Sequence, residues 1–472
     1  MLYYGIAAGV AGLIVFLFLR PRVKVLIAFF VMTSCFDLAP RFIFNFDVWD
    51  LGAVLLLIAW LQLAFFREKT PSHTSSYVVL IGVFIGWMFV CLLWSILIYD
   101  YPVLNTMKAS RQMIIGFLSF FVFRRLFTVD QDAFSFFVKS LYVATFALLP
   151  ICLVEYSIHT PLLFGLHREY GEFIRSLPVF LPISLLYFWV IASKLLTADR
   201  VAKHEILYAG MVMGLTALTF TRGIYLSVLF VFCVMFITLT SNKRLNVNVM
   251  AAATFFSLSM LCGTVLYLGG YADKVIERFA SAVDLVFELK AGTSEHNEDT
   301  YTGRLALAKE RFELVAEHNP IIGYGFIHED NVPSALRTKL KYGSVIYTPE
   351  YVERYRNGHP YVLALHSADI GWADIIINTG IFGLILWILS FTFFVWDYYT
   401  TARLTHGQYF HARIGLFLQT LLGVLLMFES NTFVSLVQIP SLMLAGYWYC
   451  TNVQPQYQSN DSPAASIQIV ST

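Results

Sequence analysis

The residues of this chain whose types and spacing suit chemistry are three arginines and a histidine with a nearby aspartate. Arg222, in Thr221-Arg-Gly223, is the only charge between Ile206 and Ser241. At helix-centre depth in a bilayer an arginine costs on the order of 2.5–3.5 kcal/mol, so the turn of a hairpin is expected there, at the outer interface. Its guanidinium then either snorkels to lipid headgroups or binds an anion, because a planar fork of donors matches phosphate oxygens two at a time. Arg304 and Arg311 stand seven residues apart in the stretch 304–317, whose Leu305, Ala308, Phe312 and Val315 recur at helical spacing. That pattern predicts an amphipathic helix with both arginines at the edge of its apolar stripe, either solvated or facing a ligand together. Asn319-Pro320 should stop the helix, and Gly323-Tyr-Gly325 reads as a turn.

His366 and Asp369 are three residues apart, so on a helix they share a face and the carboxylate can orient the ring. An imidazole with an ordinary pKa near 6.5 accepts a proton at neutral pH. The same histidine could equally cap the helix and bond to backbone. Taken together, the residue types suit two tasks: neutralising phosphate and removing a proton.

The elements that must position these groups follow from composition. Of 472 residues, 58% are apolar, 17% aromatic and 13% charged, against roughly a quarter charged in soluble domains. That excludes a soluble multidomain enzyme, a disordered chain and a disulfide-stapled secreted protein. With 32 Lys and Arg against 31 Asp and Glu, no basic excess suggests nucleic acid. A hydrocarbon core about 30 Å thick takes roughly 20 helical residues to cross. Apolar runs of that order lie near 2–19, 25–40, 51–66, 77–98, 112–127, 134–154, 177–196, 206–221, 224–240, 249–270, 370–396, 413–429 and 433–450. The expected fold is an all-α polytopic transmembrane bundle of twelve or thirteen spans. Its partner is the lipid bilayer.

Four parts are expected: a transmembrane bundle over 1–270, a large outer loop over 271–366, C-terminal transmembrane helices over 367–450 and a disordered tail over 451–472. Arg20, Arg22, Lys24, Arg67, Lys69, Arg124, Arg125, Arg200, Lys203, Lys243, Arg244, Arg403 and Arg413 fall in one alternating set of connections. Arg41, Lys108, Arg111, Arg168, Arg175 and Arg222 fall in the other. The positive-inside rule makes the richer set cytoplasmic and the loop 271–366 external. All six cysteines lie in predicted spans and read as packing residues. No P-loop or dinucleotide fingerprint is evident, so no cofactor is expected. Asp47, Asp50 and the stretch Glu295-His-Asn-Glu-Asp299 could serve a metal, but they read as turn residues, and none is expected to bind one.

An outward arginine at Thr219-Phe-Thr-Arg-Gly223, the segment Thr302-Gly-Arg-Leu305 through Pro320-Ile-Ile-Gly-Tyr-Gly325, and His366 followed by Gly380-Ile-Phe-Gly383 occur in an order that resembles the bacterial O-antigen ligase and Wzy-type polysaccharide polymerase superfamily. Motifs carry the resemblance over roughly 206–400, and hydropathy layout carries the remainder. It implies a GT-C-like glycosyltransferase of the inner (cytoplasmic) membrane, with its active site facing the periplasm or exterior. Such an enzyme takes a glycan from an undecaprenyl-diphosphate carrier to an acceptor glycan hydroxyl, with inversion and without metal. Arg222 and Arg304, with Arg311, would neutralise the diphosphate, and His366 would act as general base with Asp369 orienting it.

Ser367 stands where the family usually has asparagine, and Gly380 lies fourteen positions after His366. That is further than the family's usual spacing, which would align Asp369 with the histidine, so two candidates for the base remain. The family also usually starts in the cytoplasm with an even number of spans, whereas the charge count puts this N-terminus outside.

Polymerisation of repeat units into a surface polysaccharide or exopolysaccharide is preferred, because Ser367-Ala-Asp-Ile-Gly-Trp372 resembles polymerases more than ligases. A chain-length regulator would then be a partner. The alternatives are ligation of a finished glycan to lipid A-core or to protein, and transport of the lipid-linked sugar. A transporter should show internal repeats and midplane charges, and neither is evident.

Overall fold

The computed structural model describes residues 12–33, 42–43, 46–65, 76–130, 132–158, 167–170, 173–176, 180–219, 221–241, 301–328, 365, 371–402 and 410–426, with single positions among 273–276, 331–339 and 442–448. The described elements are α1 (Pro21–Met32), β1 (Phe42–Ile43), β2 (Phe46–Asp47), α2 (Val48–Ala64), α3 (Ser76–Leu97), α4 (Val103–Val129), α5 (Ala133–Ile158), β3 (His167–Tyr170), β4 (Phe173–Ser176), α6 (Leu181–Leu196), α7 (Lys203–Ala217), α8 (Arg222–Ser241), α9 (Tyr301–His318), α10 (Gly371–Ala402) and α11 (Phe410–Leu426). The protein is an all-α polytopic membrane bundle. Among the described residues, strands form two short antiparallel ribbons in connections, with Phe42 opposite Asp47 and Arg168 opposite Arg175.

Five described helices are long and apolar enough to cross a membrane: Ser76–Leu97, Val103–Val129, Ala133–Tyr156, Gly223–Ser241 and Gly371–Tyr398. Trp49–Ala64, Leu181–Leu196 and Phe410–Leu426 are shorter and apolar. The expected spans 249–270 and 433–450, most of 2–19, the loop before Tyr301 and the tail 451–472 lie wholly or mainly outside the described residues.

Helix α3 shows how these segments fold in lipid. Tyr77, Ile81, Phe84, Ile85, Met88, Cys91 and Ser95 recur every three to four residues and are buried, whereas Val79, Val83, Val90 and Leu93 on the other face are exposed. A helix apolar all round belongs where one face meets protein and the other hydrocarbon. Aromatic rings fill the interior: Phe29 meets Phe123 and Phe137 edge-on, and Phe84 meets Phe117. Such geometry keeps the partly positive ring edge against the negative face.

The polar bonds sort the helix ends into two groups. At one end Lys24 donates to Gln62, Arg125 Nε to the Leu63 carbonyl at 3.2 Å, and Arg22 lies 3.8 Å from Asp130. Lys194 pairs with Glu205 at 2.7 Å where α6 and α7 meet. Lys24, Arg125 and Arg22 are cations of the richer set in the sequence. At the other end Arg111 pairs with Asp50 at 2.7 Å.

Candidate functional site

The candidate site is built where the turn after α9 meets a break in α10. The sequence predicts one uninterrupted span over 370–396, but the structure breaks it at Gly380, where φ is 71° and ψ is −176°. An L side chain rarely adopts that conformation. The break stops Ile381 N–H from bonding within its own helix, and it donates instead to the Pro320 carbonyl at 2.8 Å. The Ile377 carbonyl, freed by the same break, accepts from Tyr324 N–H at 2.9 Å. The turn therefore satisfies the two peptide groups that the break exposes, as an apolar surrounding demands.

The approach is close enough to exclude side chains. A Cβ on Gly380 would lie 2.1 Å from the Ile321 carbonyl oxygen, and one on Gly323 would lie 2.5 Å from that of Ile377. The two glycine motifs noticed separately in the sequence are two halves of one joint.

Further bonds hold the turn. Asn319 Oδ1 accepts from Ile321 and Ile322 N–H at 3.1 and 3.2 Å, which stops α9 as expected. Asn319 Nδ2 donates to Tyr99 Oη at 3.2 Å, and Tyr99 Oη donates to the Gly323 carbonyl at 3.0 Å. Ser95 Oγ accepts from Phe326 N–H at 2.8 Å, and Trp87 Nε1 donates to the Thr379 carbonyl at 2.9 Å. Helix α3 thus grips both halves. The ring of His318 stacks on Tyr324 with centroids 4.3 Å apart. Burial, and secondarily Lys339, holds its imidazole below the ordinary value. Burial raises the Tyr101 hydroxyl to about 12, so these phenols remain donors at any physiological pH.

Helix α9 corrects one sequence expectation. Ala308, Leu314 and Val315 are buried as an amphipathic helix requires, but Phe312, assigned to the apolar stripe, is 45% exposed. Arg311, assigned to the stripe's edge, is 1% exposed. Its Nε donates to the Leu365 carbonyl at 2.9 Å and its Nη1 to Glu310 Oε1 at 2.6 Å. A guanidinium supplied with such partners can enter an interior that would otherwise reject it. The buried face is accordingly centred on Arg311, and Phe312 falls to the flank.

Arg222 begins α8, and a turn at 218–219 ends α7 before it. Thr221 Oγ1 donates to the Thr219 carbonyl at 3.0 Å, and Tyr225 Oη donates to that of Ala217. Arg304 lies in the first turns of α9. The side chains of Arg222 and Arg304, and the whole of His366 and Asp369, lie outside the described residues. Leu365, next to His366, is described and fully buried.

Residues that sequence reasoning passed over include Tyr99, Leu365 and Asn378. Asn378 is 5% exposed, and its Oδ1 has no hydrogen-bond partner among the described residues. It stands four residues after the buried Asp374, and that polar pair inside an apolar run was the available signal.

A second constellation has the residue types of a nucleophilic triad. Ser193 Oγ and His411 Nδ1 lie 2.6 Å apart, and His411 Nε2 lies 2.7 Å from Asp199 Oδ2. Ser193 is fully buried and also donates to the Val190 carbonyl, so the arrangement ties α6 to α11 and offers no accessible nucleophile. Among the described residues no group of three His, Cys, Asp or Glu side chains could hold a metal ion.

A search of curated proteins finds no match. Comparison with protein families finds one, described as O-antigen ligase (Wzy_C), over residues 207–388. That segment runs from α7 to the middle of α10 and contains Arg222, Arg304, Arg311 and both halves of the glycine joint. Over that segment the chain is similar to the O-antigen ligase family.

Proposed function

We propose that this protein polymerises repeat units of a surface polysaccharide or exopolysaccharide, transferring a growing glycan from an undecaprenyl-diphosphate carrier to the hydroxyl of an acceptor glycan on the outer side of the inner membrane. The family brings ligase- or polymerase-type glycan transfer, with a lipid-linked glycan and an acceptor as substrates. The observation that supports the choice of site is the Arg311 contact to Leu365, which with the glycine joint ties the arginine-bearing helix α9 to the residue before His366. Arg304 is two helical turns before Arg311, about 10 Å along the axis at 1.5 Å per residue, on nearly the same face. The face of α9 that meets Leu365 is therefore the face on which Arg304 stands.

The roles assigned to these residues are those that the family resemblance implies. His366 takes the proton of the acceptor hydroxyl as its oxygen forms a bond to the anomeric carbon, a role typically worth about 10²–10⁴ in rate. Asp369 orients the imidazole. The bond from that carbon to the diphosphate breaks, and its electron pair leaves with the phosphate oxygen. Attack opposite the leaving group inverts the anomeric centre. Negative charge developing on the diphosphate needs cations already in place, and Arg222 and Arg304 supply them. Arg222 also opens α8, where unpaired N–H groups favour an anion. Arg311, the third cation expected at the diphosphate, already holds a carboxylate and a carbonyl, so the other two carry that charge. No metal is needed when two guanidiniums neutralise the leaving group.

Replacement of Arg222 or Arg304 by alanine tests the reading. Each variant should insert normally yet yield no polymer, and each should bind the lipid-linked glycan at least tenfold more weakly. Normal glycan output from either variant removes that arginine from the mechanism. In a deletion strain, single capped repeats on a gel identify a lost polymerase. Full-length chains stranded on the carrier would instead identify a ligase.

A further inference from the structure

We propose that Arg311 is a positioning residue, whose buried guanidinium fixes the chain at Leu365, the residue before the candidate base. The inference rests on the glycan-transfer reading above. Leu365 is held in two independent ways. Its side chain is fully buried with Leu314, Val315, Tyr324, Ile376 and Ile377. Its carbonyl accepts from Arg311 Nε at 2.9 Å. Glu310 Oε1, 2.6 Å from Nη1, balances the charge and orients the guanidinium from within the same helix.

The apolar cluster around Leu365 is itself locked to the α10 break, because Tyr324 N–H bonds the Ile377 carbonyl and Tyr324 Oη donates to that of Leu314 at 3.3 Å. The chain is therefore anchored immediately before His366 and again from Gly371, where α10 begins. Docking α9 would not by itself call for a buried arginine, since a leucine would cover the same surface without desolvating a charge. What the guanidinium adds is a directional, charge-assisted grip on one carbonyl. A misplacement of about 1 Å at a reacting group can cost 10²-fold in rate. A diphosphate ligand, by contrast, must keep its guanidinium reachable, and Arg311 is 1% exposed.

The test uses full-length protein in lipid nanodiscs, with the lipid-linked glycan extracted from a strain deleted for this chain. Arg311→Lys keeps the charge and loses the fork. It should lower the maximal transfer rate tenfold to a hundredfold while the donor concentration at half-saturation and the melting temperature stay near wild type. A tenfold rise in that donor concentration would make Arg311 a donor ligand and overturn the proposal, as would unchanged kinetics. Should the lysine variant not accumulate, Glu310→Gln carries the same readouts, with a threefold to tenfold fall in maximal rate expected and an unchanged rate counting against the proposal. Arg222→Ala and Arg304→Ala are run in parallel. Unaltered donor binding in those two sinks the diphosphate assignment and leaves the Arg311 result to be judged on its own rate.

Discussion

Gly380→Ala asks more of this fold than any other single methyl. The new Cβ would lie 2.1 Å from the Ile321 carbonyl oxygen and 2.4 Å from its carbon, on a backbone with φ at 71° and ψ at −176°. Holding an L residue in that region costs about 1–3 kcal/mol. Relieving the contact pulls the turn away and leaves Pro320 and Ile377 carbonyls without their 2.8 and 2.9 Å partners, at about 1–3 kcal/mol for each buried group left unsatisfied. Straightening the helix recovers one bond, from Ile381 N–H to the Ile377 carbonyl, so a net loss of about 3–5 kcal/mol is expected. Proteins have only about 5–15 kcal/mol in hand, so melting in detergent should fall by many degrees and glycan output should vanish. Gly86→Ala in α3 is the control. Its Cβ would meet nothing within 4 Å, and a helix interior gains roughly 0.5–1 kcal/mol from the change. Equal melting temperatures and equal glycan output for Gly380→Ala and wild type would refute the joint as described.

Two further outcomes can be measured. His366→Ala should slow transfer by about 10²–10⁴ with little change in donor affinity in a reconstituted assay; retained activity there, with Asp369→Ala inactive, would make Asp369 the base. The imidazole of His318 sits below its ordinary value of 6.5 because of burial and Lys339, so folding favours its neutral form. The contribution to stability is fully present above that ordinary value and is lost as pH falls through the lower folded one. Melting of wild type should therefore drop more steeply than that of His318→Phe on acidification from pH 7.5, and parallel curves would argue against the stacked His318–Tyr324 arrangement.

Much of this architecture was legible before any coordinates, for identifiable reasons. Lipid demands long apolar helices, so hydropathy alone located α3, α5 and α8 nearly to their ends. Arg222 had to sit at a turn because the membrane interior rejects it, and a turn at 218–219 comes just before it. Asn319-Pro320 stops α9 because proline cannot continue a helix and Asn319 caps the chain beyond. The burial of Arg311 was not legible, since the carbonyl that receives it is 54 residues away in sequence. The break in α10 was hidden for a similar reason: glycines in an apolar run read as packing until the turn that meets them is known. The pairing of Tyr99 with Asn319, 220 positions apart, carried no signal at all.

The union of the turn with the broken helix has one consequence for how such sequences diverge. Peptide groups make it, so it is indifferent to the identity of Ile321, Ile322, Tyr324, Ile377 and Ile381 so long as they stay greasy. Its information is stored as omissions, two hydrogens standing where carbons would otherwise intrude. A survey hunting for reactive side chains would overlook it, and a homologue could exchange almost every residue along it and still keep the same scaffold for whatever glycan it has come to handle.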